Sequence, residues 1–373
     1  MNFKFNRHHI TTILSLIGCI LFLVLALVFN KNDQKEDVIN SYNLFLHNDT
    51  FKAALLQQIR SASECIKIVA QDLKFDDQDA ADLKRELKEA KDRGVSIKII
   101  STCHADVTSF MTCQGLNEEA FGTKIISDLM IIDDKELFLM GSPMPMMKNQ
   151  IAFEFSHAPS IIYDVNAFFE LGWYMNVSKY ESAHYPHKLM VNHNTLYPHN
   201  LKNLGNVSFI QSDVKKAIPP IRETLTSALK NVFKGKTKSI KYFGTRFDQH
   251  LGKESSFQFQ TIFATVASKG NVKIMLPVNE PEINTSLKWL STIAATKNIE
   301  IRLTEENFTN NFIIADDYLL FGSHPFSDNM LYKSYGLELF IENFVDLQKF
   351  NDLFDEYWNA AKPFSDYIDW IWN

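Results

Sequence analysis

The same order of predicted helices and strands occurs twice along most of this 373-residue chain. Asp133 closes an apolar strand in the first copy, and Asp316 closes the equivalent strand of the second copy 183 residues later. Trp173 and Trp358 end the last helix of each copy and lie 185 residues apart. This distance is far longer than the repeat of a solenoid, so the chain is predicted to contain two fused half-domains.

The spacing of apolar residues gives each copy a mixed α/β pattern. Asp77 is the predicted N-cap of an amphipathic helix with Ala80, Leu83 and Leu87 on one face, and Gly94 ends it. Helices that alternate with strands indicate layered sheets. The predicted fold is therefore α/β, with two half-domains of mixed sheet and flanking helices related by a pseudo-two-fold axis. Apolar runs predict strands at 65–70, 95–100, 129–133, 137–142 and 151–155, and again at 239–243, 272–276, 299–303, 312–316, 319–323 and 337–341.

Composition limits the function classes. With 46% hydrophobic residues and thirty Phe, the chain has apolar side chains for a large core, in half-domains predicted at 38–178 and 206–373. The formal charge of −6 and the lack of a Lys/Arg run argue against nucleic-acid binding. Residues 179–205 are polar and form a predicted linker. Its histidines could bind a metal, but they lack accompanying ligands at the right spacing, which favours a solvated linker: His184, His187, His193 and His199.

An N-terminal segment is apolar enough to cross a membrane. Residues 10–29 carry no charge, and a helix of this length spans about 30 Å, the thickness of the hydrocarbon core. A cleaved signal peptide is the alternative, but no small-x-small cleavage site follows the run, which favours an uncleaved signal anchor. Because Lys4 and Arg7 precede the run, residues 1–9 are predicted to be a cytoplasmic tail.

This orientation predicts a single-pass type II membrane protein that contacts the membrane through its N-terminal helix. The bulk of the chain is then lumenal or extracellular, in the endoplasmic reticulum, the endolysosome or at the cell surface. Cys103 and Cys113 bracket a polar loop and could form a disulfide in such a compartment. Cys103 and His104 could also form a nucleophile pair, but neighbours on an extended chain point apart. Five sequons are predicted glycosylation sites, although chance would supply nearly as many: Asn48, Asn176, Asn206, Asn284 and Asn307.

The paired apolar-Asp…Gly-Ser segments and the closing helices resemble the phospholipase D superfamily, in particular its single-pass lysosomal-type branch. The resemblance covers nearly the whole chain after the predicted anchor. Each half of an active member carries His-x-Lys-x4-Asp, followed by Gly-Ser/Thr-x-Asn. One His attacks phosphorus and the other protonates the leaving oxygen, while Lys and Asn bind the phosphate oxygens. The resemblance therefore implies a phosphodiesterase site between the halves that needs no metal or other cofactor.

The first copy lacks the residues of this motif. Ile126 stands at the His position, Asp128 at the Lys position and Met144 at the Asn position. A register shifted by one residue would place Ser127 and Leu129 at the first two positions, with the same consequence. An aspartate in place of a lysine puts negative charge where the phosphate would lie, which opposes phosphodiester binding.

The second copy has lost the same groups. Thr309 stands at the His position, Asn311 at the Lys position and Pro325 at the Asn position. The Asp of each motif remains, as Asp133 and Asp316. These two carboxyl groups could form an acid pair across the pseudo-two-fold axis, but a structural hydrogen-bonding role is the favoured interpretation.

These substitutions predict a membrane-anchored phospholipase D-like pseudoenzyme with a binding or regulatory role. Its partner would be another protein, or a second identical or related subunit. Ile126 cannot transfer a proton and Thr309 has no neighbouring base, so neither is assigned a catalytic role. The alternative is an active phosphodiesterase that acts on phospholipid or single-stranded nucleic acid, for which His324 is the candidate acid or base.

Overall fold

A computed structural model describes most of the chain that follows the predicted anchor. The predicted tail at 1–9 and the anchor at 10–29 lie outside the described residues. Within the described part, no helix is long and apolar enough to cross a membrane. The described residues are 41–46, 50–71, 73, 75, 78–101, 112–114, 124–125, 127–144, 150–177, 199–201, 203–211, 237–247, 259–279, 283–306, 308–323 and 334–367.

The described part of the first half contains a seven-stranded mixed sheet and three helices. The strands are β1 (Ser41–Leu46), β2 (Cys65–Val69), β3 (Ser96–Ile100), β4 (Thr112–Gln114), β6 (Leu129–Ile132), β7 (Glu136–Met140) and β8 (Ile151–Ser156), while β5 (Lys124–Ile125) pairs outside this sheet. The helices are α1 (Thr50–Ser61), α2 (Gln78–Asp92) and α3 (Pro159–Val177). The sheet order is β1-β8-β7-β6-β2-β3-β4, and only the β2/β3 and β3/β4 pairs are parallel.

The second half contains a nine-stranded mixed sheet. Its strands are β9 (His199–Leu201), β10 (Gly205–Gln211), β11 (Ser239–Phe243), β12 (Asn271–Pro277), β13 (Ile299–Thr304), β14 (Asn311–Ala315), β15 (Tyr318–Gly322), β17 (Leu337–Glu342) and β18 (Lys362–Pro363). The helices are α4 (Phe259–Ala267), α5 (Ile283–Ala294) and α6 (Leu347–Ala360). The sheet order is β18-β13-β12-β11-β14-β15-β17-β10-β9. A short strand, β16 (Ser334–Tyr335), pairs with β5 of the first half.

The two sheets confirm the predicted α/β repeat. In both halves a parallel strand pair adjoins an antiparallel hairpin, which is followed by a closing strand and a closing helix. All predicted strands are present with bounds that agree within two residues. The second half has an additional helix, α5, without a counterpart among the described residues of the first half. The second sheet also begins at His199, inside the segment predicted as a linker.

Helix α2 illustrates how the local pattern builds an element. The apolar face predicted from the sequence is buried, including Leu83 and Leu87. Gly94 adopts a φ of +94°, which favours glycine, and its N–H donates to the carbonyl of Lys91, so the helix ends there. The predicted N-cap, Asp77, lies outside the described residues.

The halves share one hydrophobic core and each has a second core of its own. Alternation along each strand sends Leu129 and Ile131 into the shared core and Met130 and Ile132 into the core of the first half. Closing helices α3 and α6 both contribute to the shared core. Phe153 of the first half lies 5.1 Å from Phe321 of the second half, measured between ring centroids. The sheets are therefore buried on both faces, which explains their nearly continuous apolar strands.

Candidate functional site

The residues aligned with the His and Lys positions of the motif lie at or next to the place where the two halves meet. The β6–β7 hairpin and the β14–β15 hairpin have their turns at one end and their open ends at the junction of the halves. At these open ends the N–H of Asn311 donates to the carbonyl of Gly141 at 3.1 Å. The N–H of Asp128 donates to the hydroxyl of Ser323 at 3.0 Å. The residues at both Lys positions are therefore bonded to the opposite half through their backbones.

Three further hydrogen bonds cross the junction and follow the repeat. The hydroxyl of Ser127 donates to the carbonyl of Leu337 at 2.9 Å and accepts from the N–H of the same residue. In the opposite direction, Oδ1 of Asn310 accepts from the N–H of Ile151 at 2.8 Å. Because Leu337 and Ile151 begin the equivalent strands β17 and β8, each half closes on the other in the same way. Polar side chains of both halves thus bond the backbone of the opposite half at this junction.

Asp128 is a buried acid at the first Lys position. Its Oδ1 accepts a hydrogen bond from the N–H of Met144 at 2.7 Å. Its Oδ2 is buried and has no hydrogen-bond partner among the described residues. Burial raises the pKa of Asp128 to about 7, although hydrogen bonds from Met144, Ser323 and Gln71 oppose the shift. This group cannot replace a lysine ammonium as a phosphate ligand.

Glu338 is a second buried acid that the sequence analysis did not identify. It lies in β17 with 1% of its surface exposed, and both carboxyl oxygens lack a partner within the described part of the chain. Its carboxyl group packs against Gly322, where a Cβ atom would collide with it. Burial first and the nearby Asp128 second raise the pKa of Glu338 well above its ordinary value.

The only sequence signal for Glu338 was an acidic residue in an apolar strand. Strand alternation puts it on the same side as Phe340 and Glu342, so the pattern alone resembles a solvated face. Its burial depends on Gly322 of the neighbouring strand β15, a contact that strand periodicity cannot reveal.

The second Lys position is occupied by a structural amide. Asn311 is buried, and its Oδ1 accepts from the N–H of Thr245 at 2.9 Å. Its amide group donates to the carbonyls of Thr309 and Ser323 at 3.2 and 3.3 Å. Both functional atoms of Asn311 are therefore occupied by protein groups. Thr309 at the His position is half-buried, and Met144 at the Asn position packs in the core of the first half.

The retained aspartates lie at the opposite ends of the hairpins. Asp133 accepts from the backbone N–H groups of Ser63, Glu64 and Cys65 at 2.8 to 2.9 Å. Burial acts to raise the pKa of Asp133, but these N–H donors outweigh it and hold the pKa below its ordinary value. Asp316 accepts equivalent bonds from two backbone N–H groups of the strand next to it. These contacts support the structural role, and the alternative of an acid pair across the axis is not realised.

Several predicted sites are only partly described. Asn206 lies in β10 and donates its side-chain amide to Glu342 at 3.3 Å, whereas Asn284 is exposed near the start of α5. Cys113 lies in β4 and Asn176 in the last turn of α3, but their side chains are outside the described part. The remaining predicted site residues lie outside the described residues: Asn48, Cys103, His104, Ile126, Asn307, His324 and Pro325.

Comparison with known proteins finds similarity at the level of structure. No protein-family model and no curated protein sequence matches the chain. The crystal structure of phosphatidylserine synthase from Haemophilus influenzae Rd KW20 matches with a TM-score of 0.61 and 12% identity, over 88% of this chain and 89% of that chain. Polyphosphate kinase from Porphyromonas gingivalis matches with a TM-score of 0.52 and 10% identity, over 85% of this chain and 50% of that chain.

A third structure covers only part of the chain. Nuc from Salmonella typhimurium, described as a phospholipase D family member, matches 36% of this chain and 96% of its own length with 15% identity and a TM-score of 0.30. The match to the synthase extends over most of both chains, and its low identity limits the conclusion to the fold. The chain therefore shares the fold of the synthase over most of its length.

Proposed function

We propose that this protein is a non-catalytic phospholipase D-like protein that acts by binding or regulation. The observation that carries the proposal is the closed junction between the halves. Ser127 and Asn310 bond the backbone of the opposite half, and the residues at the Lys positions are a buried acid and a fully occupied amide. Among the described residues, these groups offer a phosphodiester no cationic ligand.

The charge at the junction supports the same proposal. Two unit charges about 4 Å apart interact by about 4 kcal/mol at an effective dielectric constant of about 20. Replacing an ammonium by the carboxyl group of Asp128 changes this interaction with a phosphate from attraction to repulsion whenever the acid is ionised. The second acid, Glu338, lies at the same junction and adds to the repulsion only when it is ionised. Loss of binding and loss of chemistry therefore have one physical cause.

The proposed location is the lumenal side of a membrane. The uncharged segment at 10–29 would anchor the chain as a single-pass type II protein. With its ancestral cleft closed, the protein would act through its surface, on a protein partner or within a homodimer or heterodimer.

Turnover measurements test the loss of catalysis. We expect full-length protein in detergent to hydrolyse bis(p-nitrophenyl) phosphate, phosphatidylcholine and single-stranded DNA no faster than a blank from cells that lack the chain. His324→Ala would remain at the same level. Turnover that His324→Ala abolishes would contradict the proposal and favour an active phosphodiesterase. His157→Asn is the matched control, because His157 is exposed in a turn with positive φ that asparagine tolerates.

A further inference from the structure

Two buried carboxyl groups, one from each half, lie next to the C-terminal end of β15. Asp128 of the first half donates its N–H to Ser323, and Glu338 of the second half packs its carboxyl group on Gly322. Asp128 has 2% and Glu338 has 1% of its surface exposed. Three of their four carboxyl oxygens have no hydrogen-bond partner among the described residues.

Two negative charges cannot be held together in such a place without compensation. A buried carboxylate without a partner is strongly disfavoured, and a second one nearby adds Coulomb repulsion. In the described part of the chain, the influences on Glu338 are its burial and the charge of Asp128. Asp128 is influenced by burial and by neutral hydrogen-bond donors. No basic side chain contributes to either group there, so protons or a bound cation are the compensation that the described residues allow.

The hydrogen bonds favour protons. An ionised carboxylate gains most from N–H and O–H donors, and Asp128 has such donors whereas Glu338 has none in the described part. Glu338 is thus suited to the neutral acid form. We propose that Asp128 and Glu338 form a proton-binding pair at the junction of the halves, which makes the closed fold more stable in mildly acidic solution than at neutral pH. This inference does not depend on whether the protein has lost catalysis.

The sign of the pH dependence follows from the direction of the shifts. Both groups have raised pKa values in the folded chain, so the folded state retains protons that the unfolded chain releases near about pH 4. Stability is therefore lost as the pH rises from about 4 to about 7, where Asp128 titrates. Each retained proton increases the unfolding equilibrium constant by up to about tenfold per pH unit in this window. Of the predicted locations, an acidic endolysosomal lumen suits such a pair best.

Other acids of the two sheets are distinguishable from this pair. Glu154 of β8 accepts from the amide of Asn43, and Glu342 of β17 accepts from Tyr318. Glu136 of β7 also has a raised pKa, caused first by burial, and would contribute with the same sign. Its contribution remains in every variant at 128 or 338, so a comparison between variants removes it.

Unfolding of the full-length protein in detergent at a series of pH values tests the proposal. We expect the parent protein to lose stability between about pH 5 and about pH 8, as measured by chemical denaturation. Glu338→Gln keeps the shape of the side chain and removes the titrating group. The unfolding constant of this variant should therefore rise with pH less steeply than that of the parent, by up to about tenfold per pH unit. Asp128→Asn should also weaken the pH dependence, because it removes the other titrating group. Its amide oxygen can still accept the hydrogen bond from the N–H of Met144. Glu154→Gln is the matched control, a glutamate of similar burial whose loss should leave the parent profile unchanged.

Three outcomes would overturn the proposal. The first is a parent profile that Glu338→Gln leaves unaltered. The second is stabilisation of the parent, but not of Glu338→Gln, by added Ca²⁺, with destabilisation by a chelator; a cation would then be the ligand. The third outcome applies if the variants do not fold. The proposal requires a protonated carboxyl band in infrared spectra of the parent near about pH 7, and this band should disappear as the pH rises. The absence of such a band would overturn it. None of these measurements depends on turnover, so they remain separate from the test of catalytic loss.

Discussion

At the scale of single residues, Asp133 connects the turn between β6 and β7 to the segment before β2. Its carboxyl group accepts three backbone N–H groups of the segment that leads into β2. It also occupies a turn position with a φ of +51°, a conformation that aspartate and asparagine tolerate better than most residues. Asp316 repeats both features in the second half. Selection for folding alone therefore suffices to retain these two positions.

Replacing Asp133 by Asn should destabilise the fold in a pH-dependent way. We expect a loss of about 1–2 kcal/mol near about pH 7, because hydrogen bonds to a charged acceptor are stronger than those to a neutral amide. The pKa of Asp133 is lowered in the folded chain, so its ionised form stabilises the fold above the ordinary carboxyl range, and this contribution is lost as the pH falls. Denaturant unfolding at about pH 7 and about pH 3 measures the difference.

Asp317→Asn provides the control for this substitution. Asp317 is exposed in the equivalent turn of the second half, and we expect its replacement to change stability by less than about 0.5 kcal/mol. An equal loss for Asp133→Asn at both pH values would show that the charge has no part in the effect. The φ of residue 133 would not explain such a loss, because asparagine accepts it.

Only part of the junction could be predicted from the sequence at the residue scale. The absence of His and Lys at the motif positions follows directly from aligning the two copies. The contact between Glu338 and Gly322 does not, because it is set by the pairing of β15 with β17 and by the lack of a side chain at 322. The bonds from Ser127 to Leu337 span 210 residues, and no local pattern encodes them.

At the scale of elements, the closing helices α3 and α6 show the repeat most clearly in side-chain packing. Trp173 stacks on Phe169, and Trp358 stacks on Phe354 in the same relation, with ring centroids 5.9 and 5.4 Å apart. A lysine of the adjacent sheet lies over each indole at 5.3 and 5.1 Å from the ring centroid. Trp358 is buried within the shared core, whereas Trp173 is partly buried and packs against it.

Trp358→Ala should destabilise the fold more than Trp173→Ala. Trp358 has 4% of its surface exposed, and Arg302 both packs over its ring and donates to its carbonyl at 2.9 Å. We expect a loss of about 3–5 kcal/mol for Trp358→Ala, because a large buried side chain is removed. Trp173 is only partly buried, so about 1–2 kcal/mol is expected there. Denaturant midpoints of the two variants measure the difference.

The symmetry of the two helices makes each variant the control for the other. Equal losses would contradict the difference in burial between the two indoles. Lys98→Met and Lys273→Met separate the ring–cation contact from burial, and each should cost about 0.5–1 kcal/mol. A greater loss for the lysine variants than for the Trp variants would show that charge, rather than packing, holds the closing helices.

Strands and helices with strong periodicity were predictable, whereas short edge strands were not. The runs at 312–316 and 319–323 are buried on both faces, so their apolar residues are continuous and easily recognised. Strands β9 and β18 have three and two residues, and they exist only because a neighbouring strand supplies hydrogen bonds. Their positions depend on tertiary structure, which no window of sequence contains.

At the scale of the whole molecule, the shared core and the junction make the two halves one structure. The aromatic contacts between Phe153, Phe321 and Phe350 connect the first sheet, the second sheet and helix α6. Opening a cleft at the junction would break these contacts together with the hydrogen bonds of Ser127 and Asn310. These contacts therefore hold the two halves together as one structure.

The topology of the whole chain is open to a direct test through its sequons. If the bulk of the chain is lumenal, expression in eukaryotic cells should yield protein whose mass falls on treatment with peptide N-glycosidase F. Asn284→Gln should remove one glycan, because Asn284 is exposed at the start of α5. Asn206→Gln should leave the mass of the glycosylated protein unchanged, because the Asn206 amide donates to Glu342 within the sheet. A single mass for all forms, unaffected by the enzyme, would contradict the lumenal orientation, and a shift lost in Asn206→Gln would mean that β10 is accessible before it pairs with β17.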